Sequence, residues 1–394
     1  MHLDDLPSPA ILIEDRRLDA NLRRMQAKAR GQQVALRPHT KTHKSIRLAR
    51  RQRDLGASGI TVAKVGEAEV FAEAGFEDIR VAYTPVSDRD FARLLVLMER
   101  ARITFCVDTD EGADAASSFF ARHGRPAEVL IEVDCGYGRC GVPWDHPRAV
   151  TFAQRVSRLP GLRLGGILTH AGHGYQGPKI TESPEEALRR VSAEERDRML
   201  DYAGRLYQLG LIDPNADAAG AGRFEISIGS TPTMRYFENR VDLGFTVTEI
   251  RPGNYLFNDA IQVGLGVANL AECALTVQAT VISRHRDKTG ADKLFLDAGK
   301  KVFTSDTGYN TQGHGILLYN ARMMQSLPHA QLVALSEEHG WVRVPGGATL
   351  DIGARVRVVP NHACVVVNNF DAMYLVEGDE VLEEIKVDAR GRVN

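Results

Sequence analysis

An α/β fold is predicted, a (β/α)8 barrel followed by a second, mostly β C-terminal domain, and three observations carry that expectation. Over the first two-thirds of the chain, short apolar, β-branched runs alternate with longer amphipathic stretches, as in parallel strands joined by helices. Eight such units fit into about 225 residues, close to the ~250 typical of such a barrel. After about residue 265 the helical period fades, and strand-like runs divided by turn residues take over.

Parallel strands covered on both faces appear as unbroken apolar runs. The eight candidates are 34–37, 59–63, 79–83, 104–107, 128–133, 164–169, 225–228 and 247–250. The clearest helix lies near 183–209, where Ser183-Pro184 opens it and Glu185-Glu186 occupy the first turn. The later strand-like runs include Ala274–Ser283, Lys293–Asp297, Arg355–Val359 and Met373–Val376. The barrel is therefore expected over 18–262 and the β domain over 263–394. A strand within 8–14, Ala10-Ile11-Leu12-Ile13-Glu14, precedes the first barrel helix and is expected to pack with the β domain.

At 394 residues, 43% of them hydrophobic and 25% charged, the chain can bury a large core without staples. A formal net charge of −2 argues against a nucleic-acid partner. The basic run at Arg47–Arg53 reads as the solvated face of a helix. No apolar run approaches the ~18 residues of a membrane span, and the first residues lack a signal-peptide pattern. Five scattered cysteines suit a reducing compartment, so a cytoplasmic location is expected.

In such a barrel the chemistry sits in loops that follow the strands. After the first comes Arg37-Pro38-His39-Thr40-Lys41-Thr42-His43-Lys44. A lysine there can point into the barrel mouth and form a Schiff base, although an ordinary surface loop with two lysines reads the same. After the fifth comes Asp134-Cys135-Gly136-Tyr137-Gly138-Arg139-Cys140-Gly141, where the glycines allow close backbone approach and Arg139 offers a planar donor. A tight turn with a solvated arginine is the alternative. After the sixth, His170-Ala171-Gly172-His173-Gly174-Tyr175 offers acid–base or ring-stacking groups. The loops after strands seven and eight, Gly229-Ser230-Thr231 and Arg251-Pro252-Gly253-Asn254, stand where barrels bind phosphate through backbone N–H groups.

In the β domain, Pro360-Asn361-His362-Ala363-Cys364 is read as extended, with His362 and Cys364 on one face. Imidazole and thiolate together suit a borderline-soft ion such as Zn²⁺ in an open, catalytic site. A buried cysteine beside a chance histidine is the competing reading.

Taken in order along nearly the whole chain, these motifs resemble the fold-type III enzymes that use pyridoxal 5′-phosphate, in the D-threonine aldolase and D-serine dehydratase group. The resemblance implies an alanine-racemase type of barrel with the Schiff base on Lys41, not Lys44. It implies that Arg139 approaches the cofactor's phenolic oxygen and that Tyr175 lies near the pyridine ring, with His170 assigned to the same cofactor site. Gly229, Ser230, Thr231, Gly253 and Asn254 match the phosphate loops, and His362 and Cys364 the metal motif. The implied metal is Zn²⁺ first, with Mn²⁺ or Mg²⁺ as alternatives, and a homodimer is implied by resemblance alone.

The group's chemistry implies a D-β-hydroxy amino acid substrate, a Lys41 amine that takes the α-proton, and a metal that binds the β-hydroxyl. His-x-Cys resembles the dehydratase branch, whereas the aldolase branch tends to carry His-x-Asp. The expected reaction is thus β-elimination from D-serine or 3-hydroxy-D-aspartate, giving a keto acid and ammonia. Retro-aldol cleavage to glycine and an aldehyde is the alternative. An amino-acid racemase would need a second base and no metal, and a non-catalytic carrier would match the barrel alone.

Overall fold

A computed structural model describes residues 1–215, 223–345 and 350–394. The described chain divides into two compact units. One comprises Met25–Lys41, Ala49–Gly253 and Arg392–Asn394; the other comprises Met1–Arg24, Thr42–Leu48 and Asn254–Gly391.

The first unit is built on eight parallel strands that match the eight expected runs. They are Ala35–Leu36, Ile60–Val62, Asp78–Val81, Arg102–Val107, Ala127–Asp134, Leu162–Thr169, Glu225–Ile228 and Glu249–Ile250. From the second to the eighth each pairs with the next in order, and the eighth pairs with the first through Glu249↔Ala35 and Ile250↔Leu36. A single bridge, His39↔Thr61, links the first strand's end to the second. The sheet therefore curls back on itself. Helices fill the crossovers, several with a side chain that accepts one of the first free N–H groups. Ser87, Thr109 and Ser183 do so at 3.1–3.2 Å. At Ser183 a reciprocal bond from Glu186 completes the box that opens the helix Pro184–Gln208.

Alternate strand residues face opposite ways, and here the two faces differ in chemistry. Ile79, Val81, Ile103, Phe105, Val129 and Ile131 are buried in one apolar register. Arg80, Thr104, Glu225 and Glu249 occupy the other. Arg80 on the third strand reaches Glu225 on the seventh and Glu249 on the eighth, neither an adjacent strand, so these bonds cross the lumen. Arg37 adds Nε to Glu249 at 2.5 Å and both Nη atoms to Asp78 at 2.8 Å. Arg102 and Arg163 continue the network outward through Glu128. Above this ionic floor Cys106, Leu130 and Leu168 form an apolar layer.

The second unit carries a ten-stranded sheet. At its centre Ala10–Glu14 runs antiparallel to Leu275–Arg286 (Ile13↔Leu275) and parallel to Ala372–Glu377 (Leu12↔Tyr374). Beyond Leu275–Arg286 come Arg355–Pro360 and Gly315–Asn320, both antiparallel. The burial pattern of Ala10–Glu14 explains its central place, since Ala10 to Ile13 are all at or below 2% exposure. Among the described residues no helix is long and apolar enough to cross a membrane.

Arg80 is fully buried and holds two carboxylates, so Arg80→Ala should cost about 3–5 kcal/mol by leaving them unpaired. Arg163, whose side chain is 63% exposed, should cost under about 1 kcal/mol when replaced by alanine. Urea denaturation of the two variants against the parent tests the contrast.

Candidate functional site

The loops at the ends of the eight strands hold most of the residues singled out from the sequence. Thr61 fixes the first loop: its N–H donates to Pro38 O at 2.8 Å, and Thr40 Oγ1 donates to Thr61 O at 3.0 Å. The chain then makes one 3-10 turn at Thr40–Thr42, which carries Lys41 at its middle. Lys41 is partly buried. Its charge acts on both His39 and His170, so these three groups lie together. Lys44, the other lysine of the motif, instead directs Nζ to Ala389 O at 3.5 Å.

Arg139 and Arg251 complete the same electrostatic cluster. Burial pushes His170 down to about 3, and the positive Lys41 and Arg139 add to that effect. His39 is driven well below the usual histidine range by burial and the same neighbours. Both imidazoles are therefore neutral at any physiological pH. His170 Nδ1 lies 3.3 Å from Gly229 O, an acceptor, so Nδ1 carries the proton and Nε2 the lone pair. Tyr175 stands 6.4 Å from the His170 ring and Tyr137 6.2 Å, centroid to centroid. His173, from the same loop, turns to Glu194 at 3.6 Å.

Arg139 sits in a loop tied down by one carboxylate. Asp134 Oδ1 accepts the N–H groups of Gly136, Tyr137 and Gly138 at 2.8, 2.8 and 3.1 Å. The arginine is half-exposed, with Nη2 3.4 Å from Glu132 Oε1. Cys140 donates its thiol to the same Glu132 oxygen at 2.9 Å.

The loop after the seventh strand departs from the expectation that its N–H groups face a ligand. Gly229 N–H donates to Glu195 Oε1 at 3.0 Å and Ser230 N–H to Thr233 Oγ1 at 3.3 Å. Gly229 is required for shape instead: its φ is +133°, and a Cβ there would lie 2.7 Å from Arg251 N. Thr231 Oγ1 is buried with no hydrogen-bond partner. Glu195, fully buried on the helix Pro184–Gln208, also accepts Ala171 N–H at 3.2 Å, so one carboxyl joins the loops after strands six and seven. Burial pushes its carboxyl above the usual range. Nothing in the sequence marks Glu195. Arg251 was legible only as part of a loop. Its guanidinium is buried, with Nη1 to Ser227 Oγ and Nη2 to Thr169 O, both 2.6 Å. Gly253 ends a segment of the first unit, and Asn254 opens a segment of the second.

In the second unit the structure corrects one expectation. His362 is extended, with φ −135° and ψ 101°, but the chain then enters the short helix Ala363–Val367, so Cys364 lies in its first turn. The turn is forced by Asp259, whose Oδ2 accepts Ala363 N–H at 2.9 Å. Imidazole and thiol still lie close enough to act on one another. Burial opposes both charges, yet the pair prevails: His362 is raised and Cys364 lowered, each by the other. His362 Nδ1 is 2.7 Å from Asp306 Oδ2, and Thr42 Oγ1 is 3.3 Å from Cys364 Sγ. Asn254 donates Nδ2 to Asp259, and its Oδ1 has no partner. Among the described residues no third histidine, cysteine or carboxylate completes a metal-holding group. Asp306 and Asp259 carried no sequence signal, and Thr42 was legible only as part of the lysine motif.

Residues 13–260 match the family described as alanine racemase, N-terminal domain, and residues 274–376 match the "Putative serine dehydratase domain". The chain is 36% identical over 386 residues to D-threo-3-hydroxyaspartate dehydratase of Delftia sp. (strain HT23), covering 95% of each. It is 33% identical over 392 residues to D-threonine aldolase of Arthrobacter sp., covering 98% of this chain and 93% of that one. Among solved structures, a cysteine-to-alanine mutant of D-threo-3-hydroxyaspartate dehydratase in the metal-free form superposes with a TM-score of 0.85 at 33% identity over 98% of both chains.

The neutral histidines predict a pH response. His170 has a folded pKa of about 3 against an unfolded value of about 6.5, so its contribution to stability is present above pH ~6.5. As pH falls from there toward 3, the unfolded chain takes up a proton that the fold refuses, and that stability is lost. Cofactor-free His170→Asn should therefore lose less stability than the parent between pH 6 and 4, by on the order of 1 kcal/mol per pH unit, in denaturant titrations.

Proposed function

Because the chain belongs to the fold-type III pyridoxal-phosphate family that carries an alanine-racemase N-terminal domain, we propose that it is a lyase of D-β-hydroxy amino acids. We read its reaction as β-elimination, which releases a 2-oxo acid and ammonia. The observation that carries this reading is the His362–Cys364 pair, an imidazole and a thiol close enough to shift one another, with Asp306 on the histidine. The dehydratase relative supports it further, since that enzyme's solved variants replace a histidine and a cysteine two positions apart, the spacing seen here.

The residues present fit both groups that the family implies. Thr231 offers a buried, unmet hydroxyl in the loop expected to meet a phosphate, and Lys41 lies among neutral imidazoles and two guanidinium groups. Cys364 is shifted toward its thiolate, and His362, with Nδ1 held by Asp306, would give up its Nε2 proton to a metal. When bound, pyridoxal phosphate supplies an electron sink for charge at Cα, and a divalent metal supplies a Lewis acid for the β-oxygen.

Each side chain has a distinct task. Lys41 Nζ takes the proton from Cα of the substrate. His39 and His170 contribute no positive charge beside it, so the cation density there comes from Arg139 and Arg251, which suits a substrate carboxylate or cofactor oxyanion. Arg139 is half-exposed and turned toward Glu132 at its loop. Tyr175 and His170, with ring centroids 6.4 Å apart, would supply aromatic faces and edges to a flat heterocycle. Glu195 keeps the two loops that bear His170 and Gly229 in register. We further propose a homodimer as the working assembly, and Zn²⁺ as the metal.

The product assay decides the reaction. Protein supplied with pyridoxal phosphate and Zn²⁺ should convert D-serine or D-threo-3-hydroxyaspartate into equal amounts of 2-oxo acid and ammonia, without glycine. Glycine and acetaldehyde from D-threonine, without ammonia, would establish the aldolase reaction instead. Lys41→Ala should lose both turnover and the yellow absorbance of the loaded protein. Asp306→Asn should weaken Zn²⁺ binding by about 10–100-fold in a direct metal titration, because the histidine ligand loses its orienting carboxylate.

A further inference from the structure

The ten-stranded sheet of the second unit holds a cavity of about 370 Å³ that the proposed reaction does not use. Its wall includes Arg355 and Arg357, side chains of the strand Arg355–Pro360, with Gln278 from the adjacent strand and Tyr319 from the strand beyond. Arg357 is the unusual member. Nε donates to Thr276 Oγ1 at 2.9 Å, and Nη2 is buried with no partner. No carboxylate lies within ion-pair distance of it among the described residues.

The acids nearby are already engaged. Asp379 is paired with Arg322, Glu14 accepts Arg17 N–H at 3.0 Å, and Asp4 lies 3.2 Å from His2 Nδ1. Among the described residues Arg355 has no acid partner either. Nη1 of Arg355 and Nε2 of Gln278 both donate to Leu3 O, at 3.2 and 3.3 Å. Burial and the neighbouring Arg17 push the Arg357 guanidinium down to about 10, against a weaker pull from Glu14 and Asp379. A buried guanidinium with an idle edge costs several kcal/mol unless a counter-charge arrives. The wall also takes in His2, Asp4 and Asp379, the two acids engaged as described, and its apolar part includes Leu318, Leu327 and Leu350.

We propose that this cavity binds a small organic oxyanion, whose carboxylate or phosphate group meets Arg357 and Arg355 while its carbon body lies against the leucines. A planar guanidinium matches either oxyanion through two parallel N–H···O bonds. The volume lies at the small end of ligand pockets, enough for a molecule of few carbons. The site is independent of the reaction assigned above, because none of its residues has a task there.

Calorimetric titration of the metal- and cofactor-loaded enzyme with succinate and with methyl phosphate tests this. At least one should bind at a single site with a Kd of about 1 mM or below. Succinate alone would identify a carboxylate ligand, methyl phosphate alone a phosphorylated one. Arg357→Met should weaken that binding at least tenfold and, without ligand, should leave the melting temperature equal or higher, since an uncompensated charge has gone. Arg355→Gln, at an exposed side chain, should weaken binding severalfold and serves as the test if the first variant does not fold. Absence of binding by both probes, or binding unchanged in the variants, would overturn the proposal.

Discussion

Glu249 brings a negative charge into the floor of the barrel, and three donors converge on it. Arg37 reaches it from the first strand, Arg80 from the third and Ser227 from the seventh. Burial alone would push this carboxyl up; the two guanidinium groups overcome that and hold it below the usual range. Because the donors come from strands that are not all neighbours, the bonds span the lumen and set its width. A packed apolar lumen would fill the same space with more tolerance. Directional ion pairs instead specify which strand ends lie opposite one another.

The upper rim inherits that arrangement. Arg251 is two residues beyond Glu249 and points into the same interior, where it bonds Ser227 and Thr169. Its charge is one reason His39 and His170 remain neutral. Gly229 must be glycine because Arg251's backbone passes too close for any side chain. The loop expected to meet phosphate is thus shaped from below by the strand that carries Glu249, and from outside by the buried Glu195.

Much of this was legible beforehand, for identifiable reasons. All eight barrel strands fall where the apolar runs lie, because strands covered on both faces leave little choice of residue. The helix Pro184–Gln208 begins at its expected cap because Ser183, Pro184 and Glu186 form a local unit that needs no tertiary partner. Lys41, Arg139, His170 and Gly229 were found through loop position after a strand, and the fold brings them into one cluster. His362 and Cys364 meet, but by a route the residues did not announce. Val, Cys and Ala suit a strand as readily as a helical turn, and Asp259, over a hundred residues away, decides in favour of the turn.

The sequence by itself determined the strand positions, the helix caps, the motif loops and the membership that links them to a pyridoxal-phosphate chemistry, since each rests on residues close together in the chain or on a pattern of period two or 3.6. The tertiary structure alone decided the partners of isolated polar residues. Glu195 in mid-helix, Arg80 in mid-strand and Arg357 beside the cavity look alike as ordinary charged residues. One is a clamp for two loops, one a tie across a barrel and one a cation still without a counter-charge. What separates them is burial and the distance to an opposite charge, and neither quantity exists until remote segments are packed together.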